Sequence, residues 1–286
     1  MKPETVARAE RVLGGDAVSW APVAYRGWSR NEHWTLVLAD GTRAFAKEAA
    51  IPPSPDWLRQ ERLVLDVVQG AYAPRLLGFE DGERPLLVLE DLSEGTYWPP
   101  PWRPGDVEAV LATLEELAAA RAPALPPFPD PWLNWTIVAD DPEPFLSLGL
   151  SSAAWLERAL PELLAAEARA PFAGESVVHG DVRSDNLCIR DGRAVLVDWN
   201  WAMRGNPALD VASWLPSLAL EGGPRPEELA DAAVDAFAPP IAGFFAAHAG
   251  LSPPEGAPLV RGFQFAQLEV ALPWACGVLG IAPPDR

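Results

Sequence analysis

The chain has 286 residues, enough for one large domain or two lobes with a substantial core, and 49% of them are hydrophobic, which argues against general disorder. Its 40 acidic and 22 basic residues give a formal charge of −18, a field that repels phosphates and disfavours nucleic acid or an anionic membrane as a partner. The same acidity would suit a cationic substrate, or would serve solubility alone.

The segment Met1 to Gly15 alternates Lys2, Glu4, Arg8, Glu10 and Arg11, so it lacks the apolar centre of a signal peptide. Apolar stretches elsewhere are interrupted well short of the ~18 residues a membrane span needs. Cys188 and Cys276 are far apart, without metal-ligand or redox spacing, and each reads as a small core residue. The cytosol is the expected compartment. Ala21 to Tyr25, Trp34 to Ala39 and Thr42 to Lys47 read as short strands, the last two joined at Asp40-Gly41. Ser54-Pro55-Asp56 then starts a helix that runs to about Val68 and is closed by Gly70. Pro85 to Leu89 is a further strand, apolar enough to be buried on both faces.

After Leu92 the character changes. Ser93 to Pro104 is a loop dense in proline, glycine and aromatics, and Asp106 to Arg121 carries apolar residues at helical spacing. Ser151 to Arg169 is a second helix, with Pro161 expected to kink or divide it. Strand Ser176 to His179 follows, then a loop, then a hairpin of Leu187 to Arg190 with Ala194 to Asp198 across Asp191-Gly192. Pro207 to Leu220, Pro226 to Ala249 and Pro258 to Gly280 read as later helices with breaks. The expected architecture is α+β and bilobal: residues 1–92 as a small β-rich lobe, 93–286 as a larger, mainly helical one.

The densest chemistry lies between Val177 and Asp198. Asp181 and Asn186 are five residues apart on a loop between strands, and Asp198 ends the hairpin that follows. Because a hairpin returns its end close to its beginning, oxygens of Asn186 and Asp198 can converge on one point. Hard oxygen ligands of that kind suit magnesium, which completes its shell with phosphates and water. In the first part of the chain, Leu58, Glu61, Leu65 and Val68 share one helix face, so Glu61 points inward and needs a partner; Lys47 is the natural one. His33 reads as a surface residue, and the three histidines, His33, His179 and His248, form no cluster of metal-ligand spacing.

His179-Gly180-Asp181, then Asn186, then Val197-Asp198-Trp199 resemble, in order and spacing, the aminoglycoside phosphotransferase family of the protein-kinase-like fold. The resemblance implies a small-molecule kinase that transfers the γ-phosphoryl group of ATP or GTP to a hydroxyl, with Mg2+ as cofactor. It implies Asp181 as catalytic base, Asn186 and Asp198 as magnesium ligands, and Lys47 as the phosphate-binding lysine. His179 would orient the loop, Asp210 would brace it from a helix start, and Arg183 would offset charge near the transferred phosphate. Glu90 to Leu92 would meet the purine through backbone. Gly27, Ser29 and Asn31 would supply donors to the phosphates, although a single glycine departs from the three of a protein kinase. Nothing between Trp98 and Pro131 or after Asp210 names the acceptor, and neither heptads nor a long apolar stripe demand an oligomer, so a monomer or weak dimer is expected. Two rival readings are a protein kinase, disfavoured by the HGD loop, and a non-catalytic nucleotide-binding protein, disfavoured because each expected catalytic position is filled. The 13 tryptophans, Trp98 and Trp102 among them, could line a site, though most are expected in the core.

Overall fold

The computed structural model describes residues 2–23, 31–50, 52–129, 132–254 and 257–285. Strand alternation organises its first part. Helix α1 (Glu4–Leu13) precedes strands β1 (Ala17–Pro22), β2 (Glu32–Leu38) and β3 (Arg43–Glu48); helix α2 (Ser54–Val67), β4 (Leu76–Glu80) and β5 (Leu86–Glu90) follow. The strands form one antiparallel sheet in the order β1-β2-β3-β5-β4. Side chains of a strand point to alternate faces, so Leu36, Leu38, Ala44, Ala46, Leu86 and Val88 meet Val6 and Ala9 of α1 in one buried cluster. The residues between them, Thr35, Phe45, Lys47 and Leu89, face the other way and line a cavity.

Two features of this part differ from the sequence expectation. Strand β1 is Ala17–Pro22 rather than Ala21 to Tyr25, and Ala24 and Tyr25 lie outside the described residues. It is an edge strand with only Ala17 buried, so it carries no alternating apolar signal. Helix α1 and strand β4 also form where no element was expected. Their contact is close: a Cβ built at Gly78 of β4 would lie 2.2 Å from Val12 Cγ1, so the glycine is what admits the helix.

Later elements are β6 (Thr96–Tyr97), α3 (Asp106–Ala119), α4 (Asn134–Asp140), α5 (Glu143–Leu146), α6 (Ala153–Glu167), β7 (Ser176–Val178), β8 (Leu187–Arg190), β9 (Arg193–Leu196) and β10 (Met203–Gly205). Helices α7 (Ala208–Leu220), α8 (Pro226–Leu229), α9 (Ala232–Asp235), α10 (Ala238–Ala249) and α11 (Val260–Leu279) complete the chain. The hairpin β8–β9 turns at Asp191 and Gly192 with φ of 52° and 77°, the doubly positive geometry that an Asp-Gly pair favours. Thr96–Tyr97, expected within a loop, adds a short third strand to that hairpin. Helix α6 continues through Pro161 undivided. None of the helices among the described residues is long and apolar enough to cross a membrane.

Packing sorts the chain into two compact units. The first comprises Met1–Pro99, Arg103–Glu116 and Ser184–Ala202; the second comprises Pro100–Trp102, Leu117–Arg183 and Met203–Arg286. The β8–β9 hairpin thus packs with the five-stranded sheet, and Thr113 donates to the Ala194 carbonyl at 3.3 Å within that unit. The second unit is mainly helical and centres on buried Trp135, Leu163, Phe172 and Phe237.

Helix α4 in the second unit starts on a borrowed cap. Its own preceding residue, Leu133, supplies no side-chain acceptor, and Glu167 of α6 accepts instead from the backbone N–H groups of Asn134 at 2.8 Å and Trp135 at 2.9 Å. Burial pushes the Glu167 carboxyl up to about 7, against the pull of those two hydrogen bonds. We expect Glu167→Ala to leave two buried donors unpaired and to lower unfolding stability by about 2 kcal/mol, measured by urea denaturation.

Candidate active site

Lys47 sits near the end of β3 with its side chain on the cavity face. Glu61 lies one turn beyond Leu58 on the inner face of α2 and is 1% exposed, as its helical spacing predicts. The Lys47 ammonium donates to Glu61 Oε2 at 2.8 Å and Oε1 at 3.1 Å, and to Asp198 Oδ1 at 2.7 Å. Burial raises the Glu61 carboxyl above its ordinary range, and the charge of Lys47 opposes that rise.

Asp198 follows β9 in a left-handed conformation, φ 67° and ψ 59°, which aspartate tolerates better than most side chains do. Asn186 ends the short turn Ser184–Asn186; it is buried, and its carbonyl accepts from Val197 N–H at 2.8 Å. That backbone bond ties the two predicted ligand positions together across the base of the hairpin. Both residues line the cavity, about 550 Å³ in volume, with Lys47, Glu61, Glu90 and Leu92. Four of the expected site residues from β3, α2 and the hairpin therefore share one chamber of the first unit.

No group of three or more His, Cys, Asp or Glu side chains suited to a metal occurs among the described residues. The donor set of Asn186 and Asp198 still fits magnesium, whose usual protein ligands are one or two oxygens supplemented by phosphates and water. Asp185 is exposed and lines the same cavity.

Asp181 and its neighbours belong to the second unit. The buried Asp210 carboxylate accepts from the backbone N–H of His179 at 2.7 Å and of Gly180 at 2.9 Å. His179 Nδ1 in turn accepts from Asp181 N–H at 3.3 Å, so the loop is held from both sides of Gly180, whose φ is 81°. Arg183 Nε lies 3.6 Å from Asp181 Oδ1. Both side chains of that ion pair remain about a quarter exposed, and so accessible to a reactant.

Of the other expected residues, Gly27 and Ser29 lie outside the described residues. Asn31 is half-buried just before β2, and its Oδ1 has no hydrogen-bond partner among the described residues. His33 is a correction: it is buried, not on the surface. It pairs in register with Lys47 across β2–β3 and stacks on Phe45 with centroids 5.6 Å apart. Burial, then the charge of Lys47, lowers its pKa to about 4, so the ring is neutral at pH 7. The signal was available in the alternation: Leu36 and Leu38 face α1, which puts His33 and Thr35 with Lys47 on the other face. Trp98 and Phe45, not singled out for the nucleotide site, also line the cavity; alternation along β3 puts Phe45 on the face of Lys47, whereas nothing in the local sequence announces Trp98.

An antiparallel sheet carrying a buried lysine–glutamate pair, followed by a mainly helical part, is the protein-kinase-like fold, and the molecule is a small-molecule phosphotransferase of that fold. The chain belongs to the phosphotransferase enzyme family, whose model matches residues 25–248. No curated protein sequence matches it. Among solved structures it is similar to a candidate fructosamine-3-kinase from Thermobifida fusca (TM-score 0.60, 21% identity, covering 94% of this chain and 99% of that one). It is also similar to a spectinomycin phosphotransferase solved with ADP and spectinomycin (TM-score 0.58, 9% identity, 96% and 97%). A third is an amicoumacin kinase solved with AMP-PNP and Ca2+ (TM-score 0.55, 12% identity, 97% and 92%).

Burial also makes Asp210 a pH-sensitive brace. Its carboxyl is pushed up to about 7, chiefly by burial and further by Asp181, against its two hydrogen bonds. Between the ordinary carboxylate range and pH 7 the folded chain therefore holds a proton that the unfolded chain releases, and stability falls as pH rises through that window. Asp210→Asn removes this proton, so the wild-type chain should lose more stability than the variant from pH 5 to pH 8. The difference in slope is at most about 1.4 kcal/mol per pH unit in denaturation at stepped pH.

Proposed function

We propose that this phosphotransferase moves the γ-phosphoryl group of ATP or GTP to a hydroxyl of a small molecule. The buried contact of Lys47 with Glu61, in one chamber with Asn186 and Asp198, is the observation that carries the reading. Lys47 holds the phosphates and Glu61 fixes its ammonium; residues 1–92 act as the nucleotide-binding lobe, and 93–286 as the catalytic one. The backbone of Glu90 to Leu92 meets the purine edge, and Gly27, Ser29 and Asn31 serve the phosphates. Asn186 and Asp198 would hold Mg2+, which when bound would neutralise phosphate charge. Asp181 accepts the acceptor's hydroxyl proton while that oxygen bonds to the γ-phosphorus; the bond from phosphorus to the β,γ-bridging oxygen breaks, and nucleoside diphosphate leaves. Arg183 offsets negative charge during transfer, and His179 and Asp210 keep the base in place.

Three fold relatives name three different acceptors, fructosamine, spectinomycin and amicoumacin, so the fold supports the reaction and leaves the acceptor to the chain's own chemistry. The formal charge of −18 favours a cationic one. We place the protein in the cytosol, as a monomer or weak dimer.

The test is an acceptor screen with ATP and with GTP, read as nucleoside diphosphate released above the background without acceptor. Amino sugars, amines with hydroxyl groups, and macrolides form its panel; no stimulation by any of them would count against the reading. With an acceptor in hand, Asp181→Asn should lower kcat by at least about 10²-fold while leaving the nucleotide Kd within about twofold, measured by calorimetry. Wild-type turnover in that variant would remove Asp181 from the role of base.

A further inference from the structure

The Lys47 ammonium has three protons to donate, and three carboxylate oxygens receive them: two of Glu61 and one of Asp198, all within 3.1 Å. An incoming phosphate therefore meets a lysine whose donors are already committed. Charge points the same way. Among the described residues of this contact, one ammonium faces two carboxylates, Glu61 and Asp198. The two partners of Lys47 are not equivalent. Glu61 is buried on the inner face of α2, whereas the Asp198 side chain is 30% exposed and lines the cavity with Lys47 and Asn186. Asp198 is the partner that can let go.

We propose that the Lys47–Asp198 contact makes the site selective for metal-complexed nucleotide over free nucleotide. In the empty chamber Asp198 occupies a donor of Lys47 and repels a bare polyphosphate. A divalent cation accompanying the nucleotide takes up the Asp198 carboxylate, and the released donor turns to phosphate. Metal and phosphate binding are coupled through one ion pair, and Asp198 acts as a negative element toward metal-free nucleotide in addition to being a ligand. This inference rests on the nucleotide reading above.

Calorimetry on the full chain separates the possibilities, with AMP-PNP as probe in Mg2+ and in EDTA, and adenosine as a control that carries no phosphate. In the wild type, AMP-PNP should bind far more weakly in EDTA than in Mg2+. Asp198→Asn should bind metal-free AMP-PNP about tenfold or more tightly than the wild type does, lose most of its response to Mg2+, and hold adenosine within about twofold. Asp198→Gly, which suits the left-handed backbone at this position, should behave in the same way and covers the case in which the asparagine variant folds poorly. A ligand with no second role predicts something else: the Mg2+ response falls and metal-free affinity stays at the wild-type value. That result overturns the inference and leaves the nucleotide reading standing. A wild-type chain that binds neither AMP-PNP nor adenosine in Mg2+ overturns both.

Discussion

The ammonium of Lys47 is the charge on which the first unit is organised. A lysine and a glutamate removed from water together gain little net stability, since the desolvation of both offsets their attraction. Removing one alone is different: Glu61 at 1% exposure would be left as a buried carboxylate without its cation, at a cost of about 3–5 kcal/mol. The pair therefore does not explain why the unit is stable. It explains why strand β3 and helix α2 cannot drift apart, because each contributes one buried member and neither is tolerable by itself; Asp198, 30% exposed, adds a contact that can be given up.

Strand alternation gives this arrangement a mirror image. Glu48 follows Lys47 and so points to the opposite face of the sheet, where its carboxylate accepts from Arg8 of α1 at 2.6 Å and from Thr5. Arg8 also reaches Glu80 at 2.7 Å and the Arg84 carbonyl at 2.9 Å. Two consecutive residues of one strand thus pin a helix to each face of the sheet by a buried ion pair. The apolar contacts of Val6 and Ala9 hold α1 against the sheet without fixing its position along it; the charged contacts specify a register. On the other face the same device sets where the cavity ends. A shift of β3 by one residue would exchange Lys47 and Glu48 and leave both helices facing the wrong charge.

How much of this could be read in advance depended on whether a residue's partners were local. Glu61 was placed inward by helical spacing alone, and Lys47 followed as the cation the carboxylate required. Asp191-Gly192 announced its hairpin because its backbone geometry is set by two adjacent residues. Helix α1 was less legible, with Arg8 buried in it for a reason that sits 40 residues away at Glu48. Strand β4 carries a glycine at its centre, required by the packing of Val12 and invisible to any strand pattern. Helix α4 lacks a cap in its own sequence because Glu167, 33 residues on, provides one. His33 departs from its surface expectation for a related reason: it is the first inward position of β2, fixed by its pairing with Lys47 of β3. The motif from His179 to Asp198 was legible as chemistry, since its residues lie close together in the chain, but its brace Asp210 is visible only as a helix start.

Solvent access sorts the acidic residues of the site by what each can do. Asp210 and Glu61 are almost wholly buried, and both are raised above the ordinary carboxylate range by that burial. Groups so enclosed can hold backbone or ammonium donors but cannot reach a diffusing reactant. The side chains of Asp181 and Asp198 keep about 28% and 30% of their surface. They are the carboxylates able to meet a hydroxyl or a hydrated cation without first breaking the core. Glu167 extends the pattern, a buried acid whose two oxygens are spent on two backbone donors. Placing acids under the surface as braces and leaving others at the rim divides structural from reactive roles by hydration alone, and it requires no difference in chemical type.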